Sequence, residues 1–212
     1  MSANRYIDLE ALKNAELNRT PYPYVIVKNA ISPNYHHELD KAFPNIDKGG
    51  SFSLEDVPLN ETFNTLIQEL KSDALREIIA TKFSVNLDSK PTMITLRGVS
   101  TAKDGRIHTD SKSKFITVLL YFNRDWRSDS GRLRVLNGKN DLEDYAEEIS
   151  PEMGNLLMFK VNGHDWHGYK PFIGCRRSIQ LNFMVNSTQV NKHLVKHRIS
   201  AKFKSLKKVF GQ

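Results

Sequence analysis

Residues 91–136 read PTMITLRGVSTAKDGRIHTDSKSKFITVLLYFNRDWRSDSGRLRVL. Short runs of Ile, Val, Leu, Phe and Thr are broken here by Gly, Asn and Asp, a period-two texture bounded by turn residues that predicts strands rather than helices. The same texture returns in NLLMFKV (155–161) and RRSIQLNFMV (176–185). Six short strands at regular spacing argue for an antiparallel sandwich or jelly roll, since a parallel sheet would need a crossover helix between successive strands. The acidic stretch Asn137 to Pro151 reads as a surface loop or short helix between strands.

Upstream the period changes. Ile7 to Leu17 and Phe63 to Phe83 space their apolar residues for one buried helix face. Between them Val25-Ile26-Val27 predicts a strand, and Ser32-Pro33 predicts a helix start, with Ser32 as cap and Pro33 at the first position. The expected fold is therefore α+β and mainly β: a double-stranded β-helix, or cupin-like jelly roll, with N-terminal supporting helices and a C-terminal basic helix. We expect one domain, with a strand and supporting helices over 1–90, the jelly-roll core over 91–186 and the basic helix over 187–212.

The chain has 212 residues, 39% hydrophobic and 26% charged, in the range of a soluble globular protein. No apolar run approaches the ~20 residues of a membrane span. That pattern and the single cysteine, Cys175, fit a reducing compartment, and the expected location is cytoplasmic. The net charge of +7 is not spread evenly. Residues 187–212 hold seven of the 31 basic residues and no Asp or Glu, so the remainder is formally neutral and nucleic acid is not an expected partner. Val195, Ile199, Phe203, Leu206 and Phe210 recur at helical spacing within that tail. It reads as a helix packed on the body with lysines outward, or as a contact for an anionic partner.

His108-Thr109-Asp110 places an imidazole and a carboxylate on one face of an extended segment, a pair that can chelate. His167 offers a third ligand, and His164 stands as its alternative, although Asn162-Gly163 before His164 marks a turn. Two histidines and one carboxylate with open positions opposite suit a non-haem iron(II) centre. Arg176 and Ser178 share a face nine and eleven residues after His167, and an Arg fork beside a hydroxyl suits a carboxylate. Tyr121 alone reads as core.

The runs SKFITVLLYFNRDWRSDSGRLRVL, NLLMFK, WHGYKP and GCRRSIQLNF resemble the prolyl-4-hydroxylase-like branch of the 2-oxoglutarate and iron(II)-dependent oxygenases, across Thr92 to Val185. The resemblance implies Fe(II) on His108, Asp110 and His167, and the distal carboxylate of 2-oxoglutarate on Arg176. It also implies co-substrate contacts from Tyr121 and Leu133, with Ser178 as an addition, and O₂ as the second co-substrate, with ascorbate as a reductant. Asp110 would fill the position a halide needs in related halogenases, so hydroxylation of a C–H bond in a peptide, protein or small metabolite is the implied outcome. The chain departs from the family before His108, where Arg97-Gly98-Val99-Ser100-Thr101 replaces an expected aromatic. That weakens peptidyl-proline as the substrate, which the sequence does not identify. The competing readings are a cupin-like, non-redox metal enzyme and a binding module without catalysis.

Overall fold

The computed structural model describes residues 4–190, and among these no helix is long and apolar enough to cross a membrane. Most of the expected basic tail, from residue 191 onward, lies outside the described residues. Nine strands form two antiparallel sheets. The major sheet runs β1 (Tyr24–Val27), β7 (Leu156–Lys160), β4 (Lys114–Tyr121), β9 (Gly174–Met184), β3 (Thr92–Ser100) and β2 (Phe52–Ser53). The minor sheet runs β6 (Tyr145–Ile149), β5 (Leu133–Leu136) and β8 (His167–Gly168). A backbone bridge between His108 and His167 adds the His-Thr-Asp segment to the edge of the minor sheet. Two facing antiparallel sheets of this kind form a jelly-roll core, as the spacing of short apolar runs predicts.

Alternation along the strands sorts the residues between two cores. Ile116, Val118 and Leu120 on β4 join Ile94, Leu96, Ile179, Leu181 and Phe183 in the larger cluster, which packs against the helices. Tyr121 faces the other way, into a smaller cluster between the sheets with Leu133, Val135, Leu157, Phe159 and Tyr169. The helices cover the outer face of the major sheet. In α3 (Glu61–Leu70), Phe63, Leu66, Ile67 and Leu70 follow the i, i+3, i+4, i+7 pattern, and all four are buried. Burying each is worth ~1.5–3 kcal/mol.

Several expectations need correction. The segment Phe63 to Phe83 is two helices, because Ser72 accepts the Leu75 N–H as N-cap and starts α4 (Asp73–Phe83) afresh. The first helix, α1 (Leu9–Asn14), ends before Leu17, and Asn18 instead pairs with Tyr24. Ser32 makes no side-chain cap bond; Pro33 begins a 3-10 turn that leads into α2 (His36–Ala42). The acidic stretch contains β6, whose Tyr-Ala-Glu-Glu-Ile sequence is mostly exposed and so lacks the apolar alternation of a strand. It pairs with β5 through the backbone, and Arg134 of β5 reinforces the pair, donating Nε to Glu148 Oε2 at 2.6 Å and lying 4.4 Å from the Tyr145 ring centre.

One buried carboxylate ties the N-terminus to this frame. Glu69 of α3 accepts the backbone N–H groups of Arg5, Tyr6 and Ile7 at 2.8–3.3 Å and is 8% exposed. Removing it orphans buried donors, so Glu69→Ala is expected to destabilise the protein by ~3 kcal/mol, read from the midpoint of urea unfolding.

Candidate metal centre

His108, Asp110 and His167 converge, each with one ligand atom within 4.8 Å of the others. The backbone makes this possible: His108 N–H donates to the His167 carbonyl and His167 N–H to the His108 carbonyl, both at 3.0 Å. Each imidazole is then oriented through Nδ1, which lies 2.8 Å from the Arg106 carbonyl in His108 and 2.7 Å from the Asp165 carbonyl in His167. A carbonyl accepts only, so both Nδ1 atoms carry the proton and both Nε2 lone pairs remain for a metal. His164, the alternative third ligand, is exposed and lies outside the group.

Asp110 is held by its neighbours on β4. Lys114 Nζ donates to Oδ1 at 2.7 Å and Thr117 Oγ1 to Oδ2 at 2.5 Å. Burial pushes the Asp110 carboxyl up, but the charges of Lys114 and His167 and these two hydrogen bonds outweigh it and leave it below the usual carboxylate range. Burial drives His167 down to about 4, helped by His108 and opposed by Asp110. At neutral pH Asp110 therefore offers a carboxylate and His167 a neutral imidazole, the forms that metals take.

The depressed His167 has a consequence for the metal-free protein. Below about 6.5 the unfolded chain takes a proton that the folded chain refuses until about 4. Stability from this group is therefore complete above 6.5 and is lost as pH falls toward 4, an effect of ~3 kcal/mol; the lowered Asp110 acts in the same direction. We expect the urea midpoint of metal-free protein to drop steeply between pH 7 and pH 4.5, and the drop to flatten in His167→Gln.

Asp165 is the residue that sequence reasoning missed. It is fully buried; Oδ2 accepts the Asp110 N–H at 2.9 Å, and Oδ1 accepts those of Asn162 and Gly163 at 3.1 and 2.9 Å. It ties the segment of His167 to the segment of Asp110. Its place two residues before His167 was a usable signal, since alternation puts both on one side of the chain.

The other expected site residues lie in or against the inner cluster, whose Phe159 ring centre is 5.1 Å from that of His167. Arg176 is 5% exposed, with its guanidinium 4.1 Å from the Tyr169 ring centre and 5.2 Å from that of Tyr121. Its Nε donates to the Gly131 carbonyl at 2.8 Å, while Nη2 is buried with no partner among the described residues. Gly131 is required there: its φ is +80°, and a Cβ would come within 2.6 Å of Trp126. Ser178 is paired in register with Tyr121, and both are buried; Leu133 lies in the same inner cluster. Burial raises the Tyr121 phenol, with Arg176 opposing, so the phenol stays protonated and can donate. An unpaired buried guanidinium nitrogen is costly and fits a carboxylate between the triad and β9. The N/N/O donor set fits a non-haem iron(II) ion.

The model of the 2OG-Fe(II) oxygenase superfamily matches residues 98–184. No curated protein matches the chain by sequence. Among solved structures, the chain is similar in fold to a Pseudomonas putida prolyl-4-hydroxylase at 17% identity and a TM-score of 0.59, covering 86% of this chain and 96% of that one. A Phytophthora capsici prolyl 4-hydroxylase aligns at 14% identity and a TM-score of 0.54, covering 86% and 67%. A viral collagen prolyl hydroxylase from Paramecium Bursaria Chlorella virus-1, solved with 2OG, aligns at 12% and 0.52, covering 75% and 93%. Residues 98–184, which match the model of the 2OG-Fe(II) oxygenase superfamily, carry the converged triad and the buried arginine.

Proposed function

We propose that the chain is a 2-oxoglutarate and Fe(II)-dependent oxygenase acting as a hydroxylase, in which His108, Asp110 and His167 hold Fe(II) and Arg176 receives the distal carboxylate of 2-oxoglutarate. The observation that carries it is the convergence of two Nε2-presenting imidazoles and one ionised carboxylate, three ligands that leave coordination positions for co-substrates. With O₂, the bound Fe(II) and 2-oxoglutarate supply the oxidising chemistry, releasing succinate and CO₂.

The side chains orient and enclose. The Asp165 and Arg106 carbonyls fix the two rings, Lys114 and Thr117 fix the carboxylate, and Arg176 opens its unpartnered Nη2 to the co-substrate. Tyr121 donates a protonated phenol to the same carboxylate, Ser178 adds a hydroxyl, and Leu133 packs against the carbon chain. The apolar inner cluster keeps bulk water from the co-substrate. The structural neighbours include prolyl hydroxylases, which favours C–H hydroxylation as the outcome.

The test is coupled stoichiometry. Fe(II)-loaded protein should consume O₂ and 2-oxoglutarate and form succinate in equal amounts; metal binding without succinate would instead favour a non-redox enzyme. Thr117→Val, which removes one of the two hydrogen bonds on Asp110, is expected to weaken Fe(II) binding by ~10-fold or more, measured by competition with a chelating dye.

A further inference from the structure

One row of the major sheet runs from the co-substrate pocket to a basic cavity. Tyr121 of β4 is paired with Ser178 of β9, and Ser178 is paired with Arg97 of β3, so the three side chains share the inner face. The charge of Arg97 reaches Tyr121, where it opposes burial. The neighbouring rows on this face mix polar and apolar residues, Leu119–Gln180–Thr95 and then Thr117–Asn182–Met93, and Asn182 lies 3.1 Å from the Thr117 hydroxyl that holds Asp110. On β9, Ser178, Gln180 and Asn182 therefore carry hydrogen-bonding groups along the inner wall from the row of Arg97 to Thr117, which holds Asp110. The opposite part of the interior, with Tyr24, Leu157 and Phe159, is apolar or aromatic.

Arg97 opens at the rim into a cavity of about 500 Å³ lined by Lys48, Gly49, Gly50, Arg97, Thr101, Lys103 and Asp104. Three cations face one carboxylate there. That carboxylate is already engaged: Asp104 Oδ2 accepts Thr101 N–H and Oγ1–H, both at 2.8 Å, and Oδ1 accepts Arg97 Nη2 at 2.8 Å. Thr101 alone closes this turn onto Asp104, so the turn can form without the arginine. Arg97 also donates through Nε to the Gly50 carbonyl at 3.4 Å, which fixes the guanidinium between the 48–50 segment and the 101–104 loop. The 46–50 segment can lie this close because Gly98 has no Cβ; one there would meet the Ile46 carbonyl.

We propose that the primary substrate is an anion whose carboxylate or phosphate is bound by Arg97, Lys48 and Lys103 at this rim. As a statement about substrate it rests on the oxygenase reading above. The cation excess draws the charged group to the rim, and the polar wall of Gln180 and Asn182 receives the part that enters. A neutral prolyl ring would leave both unused.

The test follows backbone amide chemical shifts of the full-length protein during titration with inorganic phosphate and, separately, acetate, at constant ionic strength. Saturable shifts at Gly49, Gly50 and Thr101 are expected, with the tighter ion assigning phosphate or carboxylate. Arg97→Gln should weaken binding at least tenfold. Because Arg97 also bridges two segments, Lys48→Gln/Lys103→Gln provides a variant that removes charge without that bridge, with at least a fivefold loss expected. Absence of saturable shifts with either ion, or unchanged affinity in both variants, would overturn the proposal. The titration needs neither metal nor turnover, so a failed oxygenase assay beside intact anion binding would count against the oxygenase reading and not against the anion site.

Discussion

Asp110→Ala is expected to release no succinate and to bind Fe(II) at least about 100-fold more weakly than the native protein, because it removes the one charged ligand of the three. The variant also strands Lys114. The two side chains are 12% and 8% exposed and 2.7 Å apart, and breaking a buried pair from one side costs ~3 kcal/mol. A loss of activity could therefore be confused with a loss of fold. Asp110→Asn separates them: the amide keeps an oxygen to accept from Lys114, its NH2 can donate to the Thr117 hydroxyl, and the shape is nearly the same, but it cannot offer an anion. Circular dichroism should find it folded, and succinate release should still be absent. Turnover by Asp110→Asn at the native rate would remove Asp110 from the metal site.

Arg176→Leu is expected to raise the 2-oxoglutarate dissociation constant by about 100-fold, the size that follows when one partner of a buried charge pair is truncated. Fe(II) binding should be nearly unchanged, because Arg176 contacts Gly131, Tyr121 and Tyr169 and none of the three ligands. That split distinguishes a co-substrate anchor from a general structural role, and equilibrium dialysis with labelled 2-oxoglutarate measures it. Arg176→Lys should fall between, since it retains the charge and loses the planar fork.

The sheets were legible because their residues declare a face locally. On β4, Ile116, Val118 and Leu120 alternate with Thr117 and Tyr121, and the two sets lie in different cores or in the site itself. The triad was legible for a related reason: the His-x-Asp spacing is chelating in any extended segment, and His167 needed only the topology to bring it across. What could not be read depends on partners distant in sequence. Glu69 resembles any surface glutamate of an amphipathic helix until Arg5, Tyr6 and Ile7 arrive with three N–H groups. Strand β6 carries no apolar alternation, so only β5 reveals it. Arg97 reads as a departure from the family pattern, and its pairing with Ser178 and Asp104 emerges only when β3, β9 and the 101–104 loop are assembled.

The central claim is that Fe(II) on the triad and a keto-diacid on Arg176 occupy one site together. Its most direct measurement is the visible absorption of Fe(II)-loaded protein titrated with 2-oxoglutarate without oxygen. A weak metal-to-ligand charge-transfer band is expected to grow and saturate, to be absent in Asp110→Ala, and to need far more 2-oxoglutarate in Arg176→Leu. A native protein that binds Fe(II) at its triad but forms no such band at saturating 2-oxoglutarate would contradict the account.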